Sequence, residues 1–525
     1  MMNQTEVAYS EARYTRRSWR SQARALVALT AVLATQCLAE TALGNQSTKQ
    51  PNVLFFALDD LCDWIGPLGY DQAVTPNMDR LAERGVTFTN AHTAGVFCSP
   101  SRSAIFTGRH AHRTGCYTTQ VYFHNAPELR PLQVAFQERG YATFGAGKLF
   151  HHPAGYVDLR GWDEFFVRSK QQRASGWPLN SWSPTDEILP QPYPNSRFNH
   201  DRDPANNFFL EWGRVLNKNE SKMADTIRTD WACELLKQKH DKPLFVGVGL
   251  YAPHFPNYCP QKYFDLYDRD KIEPPICLEN DLDDLPERVR RAKTNRSAIH
   301  KRLVKLDAVK DAIYGYLACV SYADAMLGRL IDAIEEGPNH DNTIIVLWSD
   351  HGYHHGEKYD WGKHTLWQRT SGVPLLWSGP GIARDQKVDS TVSLIDMYPT
   401  LVELCGLEED EELDGVSLAR VLRDPASATD RSVILPGMRP NEFAIINQDW
   451  RYIRYEDGGE ELYDLRSDPN EWHNLASAAG YEEIKNRLRQ AEPKEFAVPG
   501  PTKKGLRLVT QGESFSWAPR KSKSR

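Results

Sequence analysis

The chain has 525 residues, 41% apolar and 25% charged, with a net charge of −6; these values describe a soluble globular protein with room for one large α/β domain and a smaller companion. That balance excludes binding of nucleic acid through global charge and leaves any anion site to local clustering. Beyond the N-terminus, no stretch is long and apolar enough to cross a bilayer.

Residues 1–44 read as an export signal. Arg13, Arg16, Arg17, Arg20 and Arg24 precede the apolar run ALVALTAVLATQCLA, which ends in small residues near Ala39 to Gly44. The Arg16-Arg17 pair before Trp19 resembles a twin-arginine signal, and a secreted or periplasmic protein is expected. The next domain spans 45–407. In it, VLFFALDDL predicts a strand at 53–58 followed by Asp59-Asp60, and PNMDRLAERG predicts a helix stopped by Gly85. A helix-like segment follows Cys98. YATFGAGKLFHH predicts a strand near 141–146 followed by Lys148 and His151. The segment 168–225, rich in Pro, Asn, Ser and Trp, reads as a long surface insertion. PLFVGVGLYAPH predicts a strand at 244–250 and then His254; a helix is expected at 311–337; and TIIVLWSDHG predicts a strand at 343–348 and then Asp350-His351. SLIDMYPTLVELCG is a further helix, closed by Gly406. Strands apolar throughout belong to a parallel sheet covered on both faces, and their alternation with helices predicts a doubly wound α/β domain.

After Glu408 the pattern changes. EEDEEL is a charged linker, and FAIINQDWRYIRYEDGGEELYDL alternates like antiparallel strands about the turn EDGGE. With the amphipathic GYEEIKNRLRQAE it predicts a small α+β domain at 408–500, followed by an irregular basic tail at 501–525. Of nine cysteines, Cys37 leaves with the signal, and the other eight are scattered without the spacing of a disulfide framework.

All four polar clusters stand just after strands. In open α/β sheets ligands bind beyond the carboxyl ends of the strands, so the clusters can converge although 291 residues separate Asp60 from His351. Asp59, Asp60, Asp350 and His351 suit a hard divalent cation, Ca²⁺ or Mg²⁺, although an adjacent Asp pair can also cap a helix. Arg102, Lys148 and Lys363, with the helix start after Cys98, would hold a tetrahedral oxyanion, sulfate or phosphate. His151 and His254 could supply general acid and base, and His354, His355 and His364 could support the site or line its rim. Cys98 has neither a base in the next seven residues nor a partner cysteine, so on spacing alone a buried free thiol is equally open.

CSPSR resembles the C-x-P-x-R signature of type I sulfatases, whose cysteine is oxidised to formylglycine (3-oxoalanine) before folding. The resemblance extends through NVLFFALDDL, TPNMDRLAERGVTFTNAH, TGRH, GKLFH, APH, SDHG, VPLLWSGPG and ELYDLRSDPNE, about 430 residues in order. It implies an alkaline-phosphatase-like sandwich, with a large mostly parallel sheet between helices, and hydrolysis of sulfate esters. The spacing of Lys148 to His151 and the pair Asp350-His351 are most similar to the iduronate-2-sulfatase branch, where arylsulfatases often have Lys-x-His and Asp-Asn. By resemblance, Cys98 is the modified residue, recognised by its maturation enzyme through Pro100 and Arg102. Asp59, Asp60, Asp350, His351 and the modified Cys98 hold the metal, Ca²⁺ before Mg²⁺. Arg102 steadies the aldehyde hydrate, Lys148 and Lys363 bind the sulfuryl group, His254 protonates the leaving sugar oxygen, and His151 takes the proton that releases sulfate. A sulfated carbohydrate is the expected substrate. A phosphodiesterase or phosphonate monoesterase of the same superfamily, or a non-catalytic glycan-binding relative, is the alternative.

Overall fold

The first strand explains the sandwich. In β1 (Asn52–Leu58) every residue is buried, and alternate side chains feed two separate cores: Leu54, Phe56 and Leu58 on one face, Val53, Phe55 and Ala57 on the other. A strand with no polar side must be covered twice, which needs helices on both faces. This computed structural model describes residues 50–151, 157–166, 210–511 and 514–520. The expected export signal lies outside these residues.

The main sheet also contains β2 (Gly85–Phe88), β3 (Ala142–Gly147), β4 (Glu164–Phe165), β5 (Leu244–Gly249), β6 (Thr343–Ser349), β7 (Leu375–Ser378) and β8 (Gln386–Val388). Its order is β8-β2-β7-β6-β1-β5-β3-β4. The run from β6 to β4 is parallel, with Ala57 beside both Gly249 and Trp348 at the carboxyl end. Only β7 runs antiparallel to its neighbours, β6 and β2, so the sheet is mixed at one side and parallel at its centre.

α1 (Pro76–Ala82), α3 (Ala224–Leu236) and the 28-residue α5 (Val309–Glu336) cover one face. α2 (Cys98–Thr107) and α6 (Met397–Cys405) cover the other. α4 (Glu287–Lys305) lies between α3 and α5 in the chain. Gly406, at φ 60°, ends α6 in the left-handed conformation that glycine adopts without strain.

The chain stays with the large core past the expected boundary at 408, and the small sheet gains one strand ahead of the expected FAII. Leu418 and Leu422 still pack in the core around α2 and α6, and the antiparallel strands β9 (Val433–Pro436), β10 (Phe443–Ile446), β11 (Trp450–Arg454) and β12 (Glu460–Asp464) start only at Val433. α7 (Glu482–Arg489) seals one face through Leu488. The opposite face packs on Val96, Phe97, Leu366 and Trp367. The sheet therefore braces the chain just before Cys98 and just after Lys363.

Two expectations are corrected. The tail is not irregular: β13 (Leu506–Gln511) and β14 (Ser514–Pro519) form an antiparallel hairpin. The end of the segment 168–225 is not a surface insertion, because Trp212–Val215 pairs with Asn257–Pro260 and Trp212 is buried, while 168–209 lie outside the described residues. All eight described cysteines are free thiols.

Candidate active site

The four polar clusters follow four adjacent parallel strands, β6, β1, β5 and β3, at their carboxyl ends. Asp59 and Asp60 follow β1, Lys148 follows β3, His254 follows β5, and Asp350-His351 follow β6. Gly147, at φ 72°, makes the turn that sends Lys148 inward; a Cβ there would stand 2.0 Å from the Gly249 carbonyl oxygen. Asp60 itself has φ 62°, a conformation non-glycine residues avoid and one found where the fold forces a functional group into place.

Cys98 opens α2 at the centre of this group. Its Sγ lies 3.2 Å from His351 Nε2, 3.3 Å from Lys363 Nζ, 3.4 Å from Asp59 Oδ1 and 3.7 Å from Lys148 Nζ. The Gly352 carbonyl holds His351 Nδ1 at 2.9 Å, so Nε2 faces the thiol. Arg102, one turn along α2, donates through Nε to Asp350 Oδ2 at 2.7 Å and through Nη2 to the Leu58 carbonyl at 3.2 Å. Lys148 pairs with Asp59, and Lys363 with Asp60 Oδ1 at 2.5 Å. His254 Nδ1 is bonded to the Phe255 carbonyl, and Nε2 stands 3.6 Å from Asp60 Oδ2. His151 meets Phe97 edge-on at 6.1 Å and, with Ser99, Arg102 and Phe150, lines a cavity of about 20 Å³, the size of one water.

Burial sets the charges. Desolvation opposes the Asp59 carboxylate, but Lys148, His254, Arg102 and Lys363 together outweigh it and hold its pKa well below the usual range. Asp60 is pushed up to about 7 and Asp350 to about 6, chiefly by burial and further by Asp59. Burial and then Asp59 raise the Cys98 thiol, so the unmodified side chain is a neutral, weak nucleophile. His254 and His351 are held below their ordinary value by burial and then by Lys363.

The donor set fits a cation. Ligand atoms of Asp59, Asp60, Cys98 and His351 lie within 4.8 Å of one another, all buried. Asp60 Oδ2 is buried without a hydrogen-bond partner, an acceptor that a cation would satisfy. Asp350 is adjacent, with Oδ1 3.6 Å from His351 Nε2 and its other oxygen committed to Arg102.

Several supporting residues gave no signal in the sequence. Tyr316, two turns into α5, donates to the Asp60 carbonyl at 2.8 Å, and Asp225 on α3 accepts from the amides of Tyr251 and Ala252 ahead of His254. Ser101 Oγ donates to the Asp350 carbonyl at 2.6 Å. His355 stacks on Trp64 and His354 bonds Thr365 Oγ1; both are core residues, not rim residues.

A dry cluster of carboxylates, lysines and imidazoles beyond the ends of a parallel sheet is suited to hold a cation together with a tetrahedral oxyanion. The comparisons narrow the class. Residues 51–407 match the family described as Sulfatase, and 356–495 match the family described as N-sulphoglucosamine sulphohydrolase, C-terminal. A sulfatase of Formosa agariphila is 35% identical over 86% of this chain and 88% of its own length. The human iduronate 2-sulfatase is 27% identical, over 73% of this chain and 74% of its own. The fold is shared more widely: the phosphonate monoester hydrolase of Agrobacterium radiobacter superposes with a TM-score of 0.62 at 21% identity, covering 90% of this chain and all of its own. The chain belongs to the type I sulfatase family and is a sulfuric ester hydrolase. That family implies a metal ion and a formylglycine, and the buried cluster fits both.

Proposed function

We propose that the protein removes sulfate from a sulfated carbohydrate, a glycosaminoglycan or marine polysaccharide fragment, with Cys98 oxidised to formylglycine. The observation that carries this reading is the position of Cys98 Sγ, within 3.7 Å of both lysines, Asp59 and His351. The aldehyde, as its hydrate, supplies the attacking oxygen that the neutral thiol lacks. Asp59, Asp60, Asp350, His351 and the modified Cys98 would hold a divalent cation, Ca²⁺ being favoured by the carboxylate-rich donors, and its positive charge would polarise the sulfate. Arg102 steadies the hydrate, and Lys148 and Lys363 hold the sulfuryl oxygens, stabilising charge already in a water-poor site.

His254 presents Nε2 toward the same centre, which supports its assignment as proton donor to the departing sugar oxygen. Burial first, and then Lys363 and Lys148, disfavour its proton; the negative charge of a bound sulfate ester acts in the opposite sense. His151, beside Phe97, is assigned the proton that accompanies sulfate release. Cys98, Ser99, Ser101 and Arg102 are at most 4% exposed, which supports recognition by a formylglycine-generating enzyme before folding closes the motif. The arginine-rich N-terminal run ahead of its apolar stretch supports export to the periplasm or beyond.

The human relative's name, iduronate 2-sulfatase, supports a 2-O-sulfated uronate as the first substrate to try. The test is sulfate release by matured enzyme across defined sulfated mono- and disaccharides, beside a phosphate and a phosphonate ester of one leaving group. Faster turnover of the phosphorus esters would reassign the chain to the fold's other chemistry.

A further inference from the structure

Behind Lys363 a cavity of about 390 Å³ opens between α4, the loop after Lys363 and the small sheet. Its walls include Thr118, Arg288, His364, Trp367, Arg439 and Tyr455, and its volume is that of a small-ligand pocket. It adjoins the reacting centre at two points. His364 follows Lys363 in the chain, and its ring packs 4.9 Å from that of Phe97, the residue before Cys98. The His364 amide donates to the Val96 carbonyl at 3.0 Å. His364 also has φ 75°, and strain of this kind in a non-glycine residue collects where a ligand is met.

The lining holds three cations, Arg288, Lys293 and Arg439, against one carboxylate, Glu442. Lys293 is committed to Asp360, and the lining carboxylate, Glu442, is reached by Arg288 at 3.2 Å. Arg439 reaches Glu456 at 2.9 Å through Nη1 alone and remains 56% exposed. Glu456 also stands 3.7 Å from Arg288 Nη1, outside the cavity lining. Beyond the cavity, which Arg288 and Lys293 line, α4 carries six more Lys or Arg against one Glu in 19 residues, on a protein of net charge −6. Arg290, Arg291, Lys301 and Lys305 on it are exposed. Such a concentration of one sign is a local anion-binding surface.

We propose that this cavity binds an anionic group, carboxylate or sulfate, on the sugar unit next to the sulfated one, with Arg288 and Arg439 as its donors. His364 joins this subsite to the scissile position, and α4 extends the positive surface for a longer polyanionic glycan. Guanidinium groups suit the task because their planar fork matches either oxyanion. The inference rests on the carbohydrate reading above.

The experiment compares kcat/KM on an aryl sulfate and on three disaccharides that share one sulfated sugar, with a neutral, a carboxylated or a second sulfated neighbour. Wild type is expected to prefer an acidic neighbour over the neutral one by about tenfold, and the two acidic arms show which anion is read. In Arg439→Gln, at a half-exposed position that leaves the core intact, that preference should fall toward unity; in Arg439→Glu it should invert. Arg288→Gln should act in the same direction, and Arg466→Gln, on a remote edge of the small sheet, should leave the ratio unchanged. Raising salt should erode the preference in wild type more than in Arg439→Gln. Turnover of every substrate with a ratio near one, unaltered by the variants, would overturn the subsite and leave the sulfatase reading intact. Failure to release sulfate from any carbohydrate, with the aryl sulfate still cleaved, would overturn both the carbohydrate reading and the subsite.

Discussion

Replacing His254 by alanine separates proton donation from every other task in the site. The Phe255 carbonyl occupies Nδ1, so Nε2, 3.6 Å from Asp60 Oδ2, is the nitrogen that can pass a proton toward substrate. A positioned acid contributes about 10²–10⁴ in rate. The side chain is 19% exposed, so water can enter the space the ring leaves and recover part of the loss, which points to about 10²–10³ on a sugar sulfate. A nitrophenolate departs with little help from a proton, so nitrophenyl sulfate should lose less than about tenfold. The ring packs against Tyr251 at 4.6 Å in the loop after β5, outside any strand or helix, so the variant should fold. The assay is kcat/KM for both substrates in wild type and His254→Ala, with metal content measured on each. Equal losses on the two substrates would refute the assignment and leave His254 as a sulfate-binding or structural residue.

Other outcomes follow from the same geometry. Chelation should abolish activity and Ca²⁺ restore it, while Asp60→Asn should lower bound metal by elemental analysis; a full metal complement would remove Asp60 from the ligand set. Arg451 is fully buried, pairs with Glu471 and donates to the Leu366 carbonyl at 2.8 Å, so Arg451→Met should cost about 3–5 kcal/mol in urea unfolding by stranding Glu471. A cost below about 1 kcal/mol would show that the pair adds nothing over an apolar contact. Burial holds His110 down at about 4 against 6.5 unfolded, so the unfolded chain binds the extra proton between those values. Stability should fall as pH drops from 6.5 to 4, by about 3 kcal/mol for this group, and His110→Gln should lessen that fall by as much. An unchanged acid slope in the variant would contradict it.

The central strands could be read in the sequence because each is apolar throughout and then turns abruptly polar. VLFFAL before Asp59 and TIIVLWS before Asp350 mark both a doubly covered strand and the end where a site belongs. Direction carries no such mark: LLWS in β7 is as apolar as its parallel neighbours yet runs against them, because buried pairing looks alike in either sense. Tyr316 and Asp225 were invisible for another reason. Each is one polar residue on a helix whose periodicity reports only packing, and its partner is hundreds of residues or a strand away. The role of the small sheet was equally hidden. Alternation in β10 to β12 predicts strands, but not that Ile446, Ile453 and Tyr463 would pack on Phe97 and Trp367 and so brace both sides of the site.

The central claim is that Cys98 is not a cysteine in the working enzyme. Mass spectrometry of the peptide carrying Cys98-Ser99-Pro100-Ser101-Arg102, taken from protein with demonstrated sulfatase turnover, tests it most directly. The account predicts a peptide lighter by the exchange of sulfur and two hydrogens for one oxygen, and one that captures a hydrazide probe as aldehydes do. A fully active preparation whose peptide retains the intact thiol would contradict it.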